Sequence, residues 1–214
     1  MAGLFDQQAD LYLGARPTYP SHWYSMLAAR TPRHSLAWDV GTGNGQAAIG
    51  VAEHYDEVIG TDVSEAQLQH AIPHPKAFAQ ARRHPRRLVL QRHRRQPDVR
   101  PRDEAKRFHD TTLPYWNPNI QYLFDGYKTL PFPFESVGLG SEGKPLALDI
   151  PKKLSFEGFL RMLRSWSAVV TAKDQGVDLL SENVVKGFES AWGGSNLVRS
   201  IAYKAFMLAG KVKL

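Results

Sequence analysis

The chain has 214 residues, with 27 lysines and arginines against 21 acids, a formal net charge of +6 and no cysteine. That length suits one domain, residues 1–214, with a core of its own. The missing thiols exclude disulfides, cysteine-ligated metals and cysteine nucleophiles, and they allow a reducing, cytoplasmic setting. No basic stretch leads into an apolar run near Met1 and nowhere do eighteen apolar residues stand together, so neither export nor a membrane partner is expected.

Taken in order, Phe5, Ala9 and Tyr12 recur at helical spacing before Arg16-Pro17-Thr18-Tyr19-Pro20, where two prolines stop any helix. The segment reads as a short arm. From Ser21, as N-cap, Trp23, Leu27 and Ala28 predict a first helix that ends near Thr31-Pro32. Leu36-Ala37-Trp38-Asp39-Val40 then predicts a strand breaking into Gly41-Thr42-Gly43-Asn44-Gly45, with Ala47, Ala48, Val51 and Ala52 resuming helical spacing. A second apolar pulse, Val58-Ile59-Gly60-Thr61, ends at Asp62; Ser64 and Gln67 form a capping box for a helix from Glu65 to Ala71. This β-α-β-α alternation argues a parallel sheet whose ligands bind beyond the carboxyl ends of its strands.

The charge concentrates next. Between Lys76 and Arg107 twelve lysines and arginines face three acids, while the rest of the chain is net −3. Ala77–Ala81 and Leu88-Val89-Leu90 are the only apolar pieces there, and no sheet interior is expected from it. After Phe108 come aromatic-rich turns through Tyr115, Trp116, Tyr122, Phe124, Tyr127, Phe132 and Phe134, read as core packing under a loop. A strand over Leu146–Ile150 follows. Phe156, Phe159, Leu160 and Leu163 mark an amphipathic helix, with Trp166 after it as core or pocket wall. Ser181 opens another helix with Val184, Val185 and Phe188 inward, and Leu180 and Val185 at its start as a staple. Val198–Leu208 closes as β-like sequence.

Chemistry points to the glycine turn. Backbone must approach a ligand there without side chains in the way, and the following helix offers free N–H groups to an anion. A dinucleotide fingerprint needs its third glycine at 46, where Gln46 stands, so the spacing is G-x-G-x-G. Asp62, 21 residues after Gly41, sits where a carboxylate accepts hydrogen bonds from both hydroxyls of a ribose. His70 and His74 have helical metal-ligand spacing, but Pro73 disrupts the turn they would share, and no metal is expected.

Leu36–Gly45 with Asp62, and the arm with Phe5, Ala9, Tyr12 and Arg16-Pro17-Thr18-Tyr19-Pro20, closely resemble class I S-adenosylmethionine-dependent methyltransferases of the type 11 group, near plant members similar to trans-aconitate methyltransferase. Residues 1–75 and 106–210 carry the likeness, the second block through Arg107-Phe108-His109-Asp110, Tyr115-Trp116-Asn117-Pro118 and Ser165-Trp166-Ser167. The resemblance implies an α/β Rossmann-like sheet, S-adenosyl-L-methionine as cofactor and a small-molecule acceptor, with a small carboxylic acid as a guess. By it, Asp39 and Gly41, Thr42, Gly43, Asn44 and Gly45 would line the methionine end. Asp62 would take the ribose, Val63 would lie beside the adenine, and Tyr12 and Arg16 would close over the whole. Arg16 has an alternative role, pairing with a substrate carboxylate.

Family members continue through three more β-α units, on the order of 80 residues, where this chain has the 30 between Pro75 and Lys106. The expectation is therefore a sheet without its central strands and an irregular arginine-rich segment, residues 76–105, composed like a translated intron or shifted frame. Two alternatives stay open. One is a catalytically defective, truncated homologue. The other is RNA binding through Arg82, Arg83, Arg86, Arg87, Arg92, Arg94 and Arg95, against which stands the absence of an aromatic for stacking in that stretch. Oligomeric state is not readable.

Overall fold

The computed structural model describes residues 18–81, 93–98 and 102–212. Tyr12 and Arg16 of the arm, and Arg82, Arg83, Arg86, Arg87 and Arg92, lie outside the described residues. Helix α1 (Ser21–Ala28) opens the described chain, with Pro20 rather than Ser21 at its N-cap position. Strands β1 (Leu36–Val40) and β2 (Glu57–Asp62) follow on either side of α2 (Gln46–Ala52), and α3 (Glu65–Gln69) leads to β3 (Ala77–Ala81). The three strands run parallel in the order β1-β2-β3, with Asp39 opposite Gly60 and Asp62 opposite Ala81. Helix α3 ends at Gln69, two residues short of the sequence expectation, because His70 already leaves helical dihedrals on the approach to Pro73.

Small side chains let α2 settle on this ladder: Ala48 and Ala52 pack with the fully buried Val58, flanked by Ala37, Tyr55 and Ala77. Gly50 in turn lets α1 settle on α2, since a Cβ there would fall 2.2 Å from the Tyr24 ring. The neighbouring residue on α1, Trp23, is buried in a second and larger core. Helix α1 thus touches both halves of the molecule.

That larger core belongs to the C-terminal half. Strands β4 (His93–Asp98), β7 (Val198–Met207) and β6 (Leu146–Ser155) form an antiparallel sheet in the order β4-β7-β6, and β5 (Glu135–Leu139) pairs with β8 (Ala209–Lys211). Helices α4 (Arg102–Thr112), α5 (Ile120–Phe124), α6 (Phe156–Arg164), α7 (Ser167–Asp174) and α8 (Glu182–Trp192) complete it. Phe159 of α6 stacks on Trp192 of α8 at 4.9 Å and meets Phe188 edge-on at 5.2 Å, with Ile201 and Tyr203 of β7 in the same cluster. Leu180 and Val185 both pack against this core at the start of α8. Trp166, Tyr127 and Phe132 are buried, as the core reading required.

One sequence expectation is corrected. The stretch from residue 76 to 105 is not irregular throughout, for it contains β3, β4 and the start of α4. Its first strand, β3, gives β2 a second parallel partner. Strand β4 was illegible because its ladder to β7 is made by main chain, whose hydrogen bonds do not depend on side-chain polarity. Its proline sits at a register shift between Arg94 and Pro97, where a missing N–H does least harm. Strand β6 extends five residues past Ile150 through Pro151 and two lysines, with burial alternating along it.

Phe159→Ala should therefore cost about 3–5 kcal/mol of stability, whereas Phe78→Ala, at a ring 52% exposed on β3, should change it by no more than about 0.5 kcal/mol. Urea unfolding of both variants checks the contrast.

Candidate functional site

The turn from β1 into α2 alternates its backbone: Gly41, Gly43 and Gly45 have φ of +70°, +58° and +82°, the left-handed region that any residue with a Cβ adopts at a cost. Between them Thr42 and Asn44 turn inward and are buried. The turn is fastened to the end of β2, where the Thr61 carbonyl accepts from the N–H of Gly41 at 2.7 Å and of Thr42 at 3.0 Å. Gly45 N–H donates to the Thr42 carbonyl at 3.0 Å, and Ile72 N–H to the Asn44 carbonyl at 3.2 Å. A Cβ added to Gly41 would meet nothing within 4 Å, so the outer side of the turn is clear at that residue.

Asp62 is the last residue of β2 and its carboxylate faces this turn. One oxygen, Oδ2, accepts from Gly43 N–H at 2.7 Å, and the other, Oδ1, accepts from Ser64 N–H at 2.9 Å. A carboxylate has about four lone-pair positions; these two bonds leave one open on each oxygen. Asp39 lies on the same face of the ladder, since it registers with Gly60, two residues before Asp62. Its Oδ2 accepts from Thr42 Oγ at 2.8 Å. Two carboxylates and a backbone turn exposed at Gly41 thus converge at the carboxyl ends of adjacent parallel strands. Val63, 59% exposed, offers an apolar side chain immediately beyond Asp62.

The sequence-predicted residues Asp39, Gly41, Thr42, Gly43, Asn44, Gly45, Asp62 and Val63 are therefore brought together. Four contributors were missed. Gly60 admits Thr42, because a Cβ at residue 60 would lie 3.0 Å from the threonine Oγ and 3.1 Å from its methyl. A glycine inside a strand is itself the signal of such a close approach. Ser64 was read as a cap alone, which it is, accepting from Gln67 N–H at 3.2 Å, but its own N–H also holds Asp62. Ala71 and Ile72 close on the turn from the far side of α3. In the aromatic stretch, Tyr127 is the one described non-glycine residue with positive φ, +62°, and burial pushes its phenol well above the ordinary tyrosine range, with Tyr19 nearby adding to the shift.

No family model matches the chain. It is similar to a candidate methyltransferase of Dictyostelium discoideum, 22% identical over 97% of this chain and 94% of that protein. Over 60 residues it is 43% identical to the methyltransferase cfoB of Aspergillus candidus, a match covering 26% of this chain and 19% of the relative. Among solved structures, a candidate type II methyltransferase from Anaeromyxobacter dehalogenans superposes with a TM-score of 0.71 at 23% identity, covering 92% of this chain and 97% of that one. The fold is thus a methyltransferase α/β fold. In sequence as well as in fold, the chain is thus similar to methyltransferases. Among the described residues no helix is long and apolar enough to cross a membrane.

Gly60→Ala should push Thr42 off Asp39 and cost about 1–3 kcal/mol, measurable as a fall in the urea midpoint. Thr42→Ser in the same background removes the crowding methyl and should recover part of it.

Proposed function

We propose that this methyltransferase homologue binds S-adenosylmethionine in the glycine turn above Asp62 and transfers its methyl group to a small-molecule acceptor. The observation that carries the reading is the 2.7 Å bond from Gly43 to Asp62, which makes turn and acid one site. When bound, the cofactor would supply a methyl carbon open to in-line attack by an acceptor lone pair, with the electrons of the S–C bond leaving on sulfur as a neutral thioether.

The donor set suits such a ligand. Asp62 keeps a lone pair on each oxygen for the two ribose hydroxyls. Asp39 offers negative charge to the methionine ammonium, and the clear outer side of Gly41 lets main chain come close to the remainder. Val63 supplies the apolar edge beside the adenine, and the resemblance assigns Tyr12 and Arg16, which lie outside the described residues, the role of covering the cofactor. Positioning and the exclusion of water carry the catalysis, so a dedicated nucleophile is not required. The resemblance favours a small carboxylic acid as acceptor and a place among the trans-aconitate-like plant members, and the absence of cysteine suits the cytoplasm as setting.

A second reading is favoured by one observation. The alignment to the Dictyostelium relative runs over 254 positions where this chain has 214 residues. The relative's extra length supports a sheet shortened in its middle and a homologue weakened in cofactor binding.

Calorimetry with S-adenosylhomocysteine separates the two. Binding in the micromolar range, abolished by Asp62→Ala, is the expected result for the enzyme. Silence at millimolar ligand overturns it in favour of the truncated, inactive homologue.

A further inference from the structure

The three glycine amides of the turn are not held alike. Gly41 N–H reaches the Thr61 carbonyl and Gly45 N–H reaches the Thr42 carbonyl, both main-chain acceptors that persist whatever side chains surround them. Gly43 N–H reaches a side chain, Oδ2 of Asp62, 19 residues along the chain. At φ +58° this glycine occupies the middle of the turn, between buried Thr42 and buried Asn44. A hydrogen bond to an ionised carboxylate is shorter and stronger than one between neutral groups. The opposite oxygen of Asp62 is steadied by Ser64 N–H at 2.9 Å, which fixes the carboxylate plane on the β2 side.

We infer that Asp62 is a latch as well as a contact: its carboxylate ties the middle of the glycine turn to the exit of β2 and so presets the turn. The inference deepens the cofactor reading above by giving Asp62 a positioning role that precedes any nucleoside. The bonds to Gly43 and Ser64 use one lone pair on each oxygen, so holding the turn and meeting a ribose do not compete. A turn already shaped spares the ligand the cost of ordering it. Asparagine cannot replace the latch, because its amide has one acceptor atom and one donor atom, and one of the two N–H groups would then face an NH₂.

The test is amide hydrogen exchange in protein without added ligand, labelled with ¹⁵N-glycine so that only the 17 glycines are read. In the parent protein Gly43 should exchange at least about a hundredfold more slowly than in an unfolded peptide. Asp62→Asn should speed Gly43 by about tenfold or more while Gly41 and Gly45, on main-chain acceptors, stay within about threefold. Glu65→Gln, a neutralised neighbour on α3, should leave all three unchanged. A parent Gly43 that exchanges at the unfolded rate overturns the inference, and this arm stands even if the variant fails to fold. So does an Asp62→Asn protein whose Gly43 is as slow as the parent's, with only the amides of Ser64 and α3 released in a uniformly labelled sample, for Asp62 would then merely cap that helix. Because the readout needs no ligand, a protein with the latch that ignores S-adenosylhomocysteine keeps this inference and loses the cofactor reading; a protein that binds it with Gly43 unprotected does the reverse.

Discussion

The carboxylate at the end of β2 accepts two main-chain protons, one from the turn leaving β1 and one from the chain leaving β2 itself. Much of the site's geometry follows from that arrangement. It requires β1 and β2 to lie parallel in a register that brings the ends of both strands level, and α2 secures the register by burying Val58 between Ala48 and Ala52. It requires left-handed backbone at residue 43, which glycine adopts freely. It also requires that Thr42 fold inward, which the bare Gly60 permits. Asp39, Thr42, Gly60 and Asp62 are consequently interdependent, although two separate segments of sequence supply them.

Stability and chemistry are distributed unequally over the fold. The large side chains that exclude most water, Phe159, Trp192, Phe188 and their neighbours, gather around β7 and its helices. The ladder that carries the site has a core of alanines and one valine, and its other face leaves Leu36 and Phe78 more than half exposed. Burial of apolar area is what opposes chain entropy, so the N-terminal ladder holds the smaller share of it. Helix α1 links the two, with Trp23 in the larger core and Tyr24 against Gly50. Binding elements are commonly drawn from the less stable parts of a structure.

How far the sequence disclosed this depends on where side-chain pattern and backbone role coincide. At Leu36–Gly45 and Val58–Asp62 they do: apolar strands end in glycines and an acid, so the turn and the parallel pairing were readable, and the resemblance put Asp39 and Asp62 in one site. The amphipathic helix at Phe156 and the long strand at Val198 were legible for the same reason. At His93–Asp98 they part company, because β4 is held by main-chain pairing to a partner that has an apolar pattern of its own. Proline and two lysines likewise hid the second half of β6. Helix α4 begins among charged residues, which suit a solvent-facing surface and give no apolar stripe until Phe108. The bond from Gly43 to Asp62 lay beyond sequence altogether, since spacing can bring an acid near a turn but cannot say which amide it accepts.

The central claim is that turn and acid together hold a charged sulfonium nucleoside. The most direct measurement is a titration of ¹⁵N-glycine-labelled protein with S-adenosylhomocysteine, followed residue by residue. The account predicts that the resonances of Gly41, Gly43 and Gly45 move together and saturably, while Gly158 and Gly187, on helices of the other half, stay in place. Saturable shifts confined to glycines elsewhere, or none at any concentration, would contradict it.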